Sequence, residues 1–338
     1  MIIVELNGGL GNQLQQYALS EKLKSLGKEV KLDISWYAAR GEEVTTIRDL
    51  ELDYFPGVDY EVCTADEKKK LLGSDSFLAK AGRKLGLVPK GRYTEHQMYD
   101  EGIYALDNRV LSGYWACEAY YADILPVLRQ KLVFPPSDNP QNEVIKKQMK
   151  ETNSVSVHLR RGDYLTGDNQ KMFGGICTDE YYAAAIQYIK ERVETPHFYL
   201  FSDDPEYART YMEGMDIGTH VAERDAGAHM AINYTIIDIN HGKDSFYDIE
   251  LMSCCRHNIC ANSTFSFWGA RLNNNPDKIM IRPLKQKNGV DWYQPDMMKQ
   301  LWKGWTCLDE MGQAYQGLKG DKSYGSSQTG LKSKTSYE

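Results

Sequence analysis

The stretch SVSVHLRRGDY at residues 154–164 carries the densest chemistry in the chain. Alternating, β-branched residues around Val155 and Val157 predict a short strand. The strand runs into His158, Arg160 and Arg161, and Gly162 and Asp163 then turn the chain. In an open parallel sheet, ligands occupy the crevice beyond the carboxyl ends of the strands. Adjacent arginines at such an end present planar forks suited to a bidentate anion, above all a diphosphate. Taken alone, paired arginines are more commonly a solvated face, so this reading needs support from other strand ends.

Two other stretches supply it. FYLFSDD at 198–204 sets Ser202, Asp203 and Asp204 just past a predicted strand. CANSTFSFWGARL at 260–272 sets Asn262, Ser263, Thr264 and Ser266 between a strand and a helix. Hydroxyls in that position cap the helix, or bind phosphate oxygens together with its free N–H groups. An acid can accept hydrogen bonds from N1–H and N2 of a guanine while arginines and hydroxyls hold a diphosphate. Near the start, Gly8, Gly9, Gly11, Asn12 and Gln13 join an apolar strand, 2–6, to a helical pattern ending near Leu26. Strand, glycine-rich turn and helix bring backbone N–H groups close to a phosphate or sugar, or simply permit a tight turn. The spacing is not GxGxxG and no Walker lysine follows, which disfavours an NAD-dependent dehydrogenase.

These motifs require elements to hold them. Gly27 closes the first helix, and 29–34 reads as a second strand. The pattern over 37–113 is weak; 110–114 reads as a strand and 118–132 as an amphipathic helix. Trp36, Tyr114, Trp115, Tyr120 and Tyr121 are candidates for stacking on a sugar, or for core. FPPSDNP at 134–140 is the clearest linker. Beyond it, helices are predicted at 178–193, at 245–257, at 265–272 and from Pro205, and strands at 197–201, 258–261 and, last, 278–282. This alternation predicts a parallel α/β sheet. Residues 317–338, rich in Gly, Ser, Lys and Thr, read as a disordered tail.

At 338 residues the chain has room for about two domains. A net charge of −7 argues against a broad nucleic-acid footprint, so an anionic ligand must meet a local cluster. Basic faces at 68–70 and 80–92 read as solvated, or as a peripheral membrane contact. No apolar run approaches the ~18 residues of a membrane span, and no signal segment is evident. The seven cysteines are scattered without CxxC spacing, which argues against a disulfide or zinc framework and fits a reducing cytosol.

Together, GGLGNQLQQYA (8–18), HLRRGDYL (158–165), FYLFSDD (198–204) and CANSTFSFWGARL (260–272) resemble the α-1,2-fucosyltransferase family, inverting enzymes that move L-fucose from GDP-fucose to galactosides. The resemblance runs from residue 1 to about 283 and points to the bacterial-type group. It implies an α/β, GT-B-like fold with two Rossmann-like domains facing a central cleft: an acceptor-side domain over 1–140 and a GDP-fucose-binding domain over 141–316. It implies no cofactor and no metal, with GDP-fucose as donor and a β-galactoside, free or lipid-linked, as acceptor. It implies a cytoplasmic enzyme, peripheral at the membrane at most. Arg160 would then stabilise charge on the departing GDP. Arg161 and Asp163 would shape the turn, and His158 and Asp248 would contact the guanine side. Ser263, Thr264 and Phe265 would hold the diphosphate, and Asn12 and Gln13 would reach toward fucose and acceptor. For a base that deprotonates the acceptor, Glu5, Asp33 and Asp163 stay open. An α-1,6- or protein O-fucosyltransferase, or a non-catalytic sugar- or nucleotide-binding protein of the same fold, remain alternatives.

Overall fold

The computed structural model describes residues 1–38, 49–73, 91–216 and 232–314. The expected disordered tail and residues 80–90 of the basic stretch lie outside them. The chain forms two parallel sheets. The first contains β1 (Ile2–Glu5), β2 (Val30–Asp33), β3 (Arg92–Thr94) and β4 (Arg109–Ser112) in the order β2-β1-β4-β3. The second contains β5 (Asn153–Leu159), β6 (Pro196–Ser202), β7 (Asn233–Ile237), β8 (His257–Ile259), β9 (Met280–Pro283) and β10 (Trp305–Leu308) in the order β10-β9-β8-β5-β6-β7. Two Rossmann-like α/β domains thus face one another across a cleft, a GT-B-like architecture.

The alternation in SVSVHL explains the second sheet. Val155, Val157 and Leu159 share one core with Ile186 and Met212 from the helices α6 (Asp179–Lys190) and α7 (Pro205–Asp216). Ser154, Ser156 and His158 face the opposite layer. There Ser156 Oγ accepts from Asn258 Nδ2 at 2.7 Å, and His158 pairs in register with Phe201. Both faces are covered, so small polar residues on the second face survive only because each finds a partner. Helix α1 (Leu10–Ser25) ends as expected: Gly27 has φ +80°, and the N–H groups of Gly27 and Lys28 return to Lys24 and Leu23.

Several expectations change. The stretch 118–132 is not one helix: single 3₁₀ turns at Glu118–Tyr120 and Ala122–Ile124 precede the helix α3 (Leu125–Lys131). Tyr121, with φ −145°, breaks the spiral, and Pro126 can only begin a helix. Likewise 245–257 is a 3₁₀ turn followed by α8 (Tyr247–Cys254), and His257 already belongs to β8. Strands β3, β7 and β10 were not predicted, and 278–282 is not the last strand. All three lie at sheet edges, where half-exposed residues give no clean alternation.

The domains are packed together. Helix α1 lies against α9 (Thr264–Leu272), with Trp268 Nε1 donating to Gly11 O at 3.0 Å. Arg271, fully buried, donates to Glu118 Oε2 at 3.0 Å and Ala116 O at 2.8 Å, tying the second domain to the first.

Candidate functional site

A cleft of about 630 Å³ opens between the carboxyl ends of the two sheets. From the first domain it is lined by Gly9 to Asn12 after β1, Glu95 after β3 and Tyr114 after β4. From the second it is lined by His158 near the end of β5 and Arg160 just after it, Asp203 after β6, Asn240 after β7, Ser263 to Phe265 after β8 and Lys287 after β9. β5 sits between β8 and β6, so Arg160 stands at the point where the strand order reverses, the expected ligand position in such sheets.

Arg160 is held in place. Its Nη1 lies 3.0 Å from Asp203 Oδ2, and its guanidinium sits 5.3 Å from the Tyr164 ring centroid. Asp203 Oδ1 accepts from Arg161 N at 2.9 Å. A Cβ on Gly162 would fall 2.2 Å from Asp203 Oδ2, so only glycine lets this carboxylate approach the turn. Asp203 therefore anchors the arginine within the cleft lining. Arg161 turns away: its guanidinium stacks 3.6 Å from the Tyr207 ring centroid with Nε 3.7 Å from Asp204, and it does not line the cleft. Asp163 lies in the 3₁₀ turn Gly162–Leu165. His158 is buried, and burial followed by the Arg160 charge pushes its pKa down to about 3, so the ring is neutral. Its Nδ1 has no protein partner.

Asp248 marks one end of the cleft. Burial raises its carboxyl pKa to about 7, against the lowering bond from Asn240 Nδ2 at 2.8 Å. Asn240 is fixed by a reciprocal amide pair with Asn142 at 2.8 and 3.0 Å, just after the linker. Sequence reasoning missed Asn240, which has no motif around it.

The remaining candidates divide. Ser263 caps α9 and Thr264 Oγ1 donates to Asn12 Oδ1 at 3.0 Å, so Asn12 crosses the cleft. Phe265 packs 5.9 Å from His158 and lines the wall. Gly9 and Gly11 line the cleft, but Gly11 serves close packing: a Cβ there would fall 2.5 Å from Thr264 Oγ1. Gly8, with φ +78°, makes the turn and does not line the cleft. Gln13 does not line the cleft, and its buried amide is spent on Gly8 O, Asp49 O and Leu52 N. Ser202 and Asn262 line the cleft, yet their polar atoms are engaged internally: Ser202 with Leu159 O and Asp204 N, Asn262 with Phe173 O, Gln286 O and Cys177.

Neither Glu5 nor Asp33 lines the cleft: Lys68 pairs with both, and Arg92 forks onto Glu5 at 2.8 and 2.9 Å. Of the aromatic candidates, Tyr114 lines the cleft, whereas Trp115, Tyr120 and Tyr121 are core. Trp36 packs on Tyr37, outside the lining. Glu95 was also missed; it accepts from Tyr114 N at 2.8 Å and Trp115 N at 3.1 Å, and no sequence signal marked it in the weak 37–113 stretch.

Residues 104–306 match glycosyl transferase family 11. The chain belongs to this family. It is 30% identical to an alpha-1,2-colitosyltransferase of Escherichia coli, over 84% of this chain and 91% of the relative. It is 29% identical to the E. coli O-antigen biosynthesis glycosyltransferase WbnK, over 83% of this chain and 93% of the relative. A galactoside alpha-(1,2)-fucosyltransferase 1 of Saimiri boliviensis boliviensis is 29% identical over 35% of this chain and 28% of its own length. The protein is thus a family 11 glycosyltransferase with a two-domain cleft. No helix among its described residues is long and apolar enough to cross a membrane.

Proposed function

We propose that this family 11 glycosyltransferase moves L-fucose from GDP-fucose to O2 of a terminal β-galactoside, with inversion, in the assembly of a bacterial surface glycan. The observation that carries the reading is the order of groups along the second sheet. Asp248 and Asn240 stand beyond β7, Arg160 beyond β5, Ser263 and Thr264 beyond β8, and Lys287 beyond β9. A guanine acceptor, a diphosphate clamp and a sugar end follow one another in the sequence a nucleoside-diphosphate sugar requires. The unit 141–316 acts as the donor domain and 1–140 supplies the acceptor side.

In this reading Asp248 accepts from the guanine N1–H and amino group. Neutral His158 donates or accepts one hydrogen bond without adding charge. Arg160 and the Thr264 N–H at the start of α9 bind the diphosphate. As the bond from the anomeric carbon to the β-phosphate oxygen breaks, negative charge grows on that oxygen, and Arg160 stabilises it. No divalent ion is required, since the arginine and the helix N-terminus supply positive charge. The acceptor hydroxyl attacks from the opposite face.

A second reading, with colitose as the donor sugar, is favoured by the colitosyltransferase relative. Colitose is fucose without its 3-hydroxyl, and a site built to hydrogen-bond that hydroxyl rejects the deoxy sugar by up to ~10⁴-fold. The test measures GDP release in EDTA with each GDP-sugar, adding lactose and other β-galactosides one at a time. Galactoside-dependent release from GDP-fucose supports the first reading, and release from GDP-colitose alone supports the second. GDP binding without release from either would contradict both.

A further inference from the structure

Direct displacement needs a base on the acceptor side, away from the diphosphate. Five described carboxylates line the cleft: Glu51, Glu95, Asp203, Asp238 and Asp248. Asp203 is occupied by Arg160. Asp238 and Asp248 lie beyond β7, at the far end of the sheet from β9. Glu51 belongs to that same end. Its carboxylate accepts from Leu10 N at 3.0 Å, and its charge acts on Tyr54, which packs 5.1 Å from Phe246 beside Asp248's helix.

Glu95 stands at the other end. It follows β3 at the edge of the first sheet, and its electrostatic neighbours are Lys287 and Tyr293, on the segment after β9. The turn at 113–115 is shaped around its carboxylate. Gly113 leaves room where a Cβ would fall 2.5 Å from Glu95 Cβ, and Trp115 adopts φ +56°. That unusual backbone directs two consecutive N–H groups, those of Tyr114 and Trp115, onto the carboxylate. Two N–H bonds fix its orientation and leave acceptor lone pairs unspent by them. Around it, Tyr114 is about half exposed, and Lys287 Nζ lies 4.6 Å from the Trp292 ring centroid.

We propose that Glu95 is the general base for the acceptor hydroxyl, with Tyr114 and Trp292 forming the surface on which the acceptor sugar lies. The inference rests on the fucosyl-transfer reading. In one displacement the acceptor O–H bond breaks and its proton passes to the Glu95 carboxylate. The acceptor oxygen forms a bond to the anomeric carbon, and the bond from that carbon to the β-phosphate oxygen breaks, its electron pair leaving with GDP. Burial raises the pKa of Glu95 above the usual carboxylate value, against the two N–H bonds and Lys287, which strengthens it as a base.

The test compares wild type with Glu95→Gln and Glu95→Ala in two measurements: transfer to a galactoside and GDP affinity. The expected result for Glu95→Gln is a loss of about 10²–10⁴-fold in kcat for transfer, with GDP affinity within about twofold of wild type. Azide, a nucleophile that carries no proton to remove, should restore turnover to Glu95→Ala and give the glycosyl azide. Near-normal transfer by Glu95→Gln would overturn the assignment, as would equal loss of GDP binding or absence of the azide product. A wild type that transfers to no galactoside would overturn the underlying reading instead, and the assignment with it.

Discussion

Asp248→Asn should abolish a pH dependence that donor binding by the wild type displays. The Asp248 carboxyl has its pKa raised by burial to about 7. If only the ionised form accepts from guanine N1–H and N2, the competent fraction is about one-tenth at pH 6 and about nine-tenths at pH 8. Apparent affinity scales with that fraction, so the Kd for GDP-fucose should fall about tenfold between those pH values. GDP-fucose is the right probe because its diphosphate has no proton titrating in this window. The same shift bears on stability with a definite sign. A folded pKa above the unfolded one contributes stability that is complete below the ordinary carboxylate pKa and is lost as pH rises through about 7. The gap of about three units sets a ceiling of ~4 kcal/mol, which water in the cleft reduces to ~1–2 kcal/mol. Asp248→Asn should therefore bind donor weakly at every pH, yet melt higher than wild type above pH 7. Calorimetric titration at pH 6, 7 and 8, with thermal melts alongside, reads both effects. A wild-type Kd independent of pH, or an identical slope in the variant, would refute the role given to Asp248.

Three further outcomes follow from the geometry. Arg160→Ala should lose at least ~10²-fold in turnover, as for removal of one transition-state donor, measured by GDP release at saturating acceptor. Asp203→Asn, which leaves the arginine but frees its fork, should cost roughly tenfold, because misplacement is milder than removal. Gly11→Ala would drive a Cβ to 2.5 Å from Thr264 Oγ1 and 2.7 Å from Phe265 N, so it should destabilise the domain contact by about 1–3 kcal/mol in a denaturant titration and lower turnover with it.

The parts of the site legible in the sequence are those where chemistry and a strand end coincide in a few residues. HLRRGD announces Arg160 because a charged pair directly follows a buried alternating strand, and NSTF announces α9 because hydroxyls directly precede an apolar helix. What the motifs did not reveal is which polar atoms are spent. Gln13, Ser202, Asn262 and Arg161 sit among the same strand ends, but their partners can lie far off in sequence, as Phe173 does, 89 residues from Asn262. No local pattern encodes such a partner. Glu95 and Asn240 show the converse. Each reaches the cleft through a short edge strand, β3 or β7, whose half-exposed residues leave no periodic trace. The tied domains were equally hidden, since Trp268 and Gly11 meet across 257 positions.

The most direct measurement is the structure of the product. Incubation with GDP-fucose and a β-galactoside, followed by NMR of the isolated oligosaccharide, should show a single new fucose linked α to O2 of galactose. From a β-linked donor that anomer means inversion by one displacement, as Arg160 and the acceptor-side carboxylate require. A β-fucoside, or fucose joined at any oxygen other than O2 of galactose, would contradict the proposed activity.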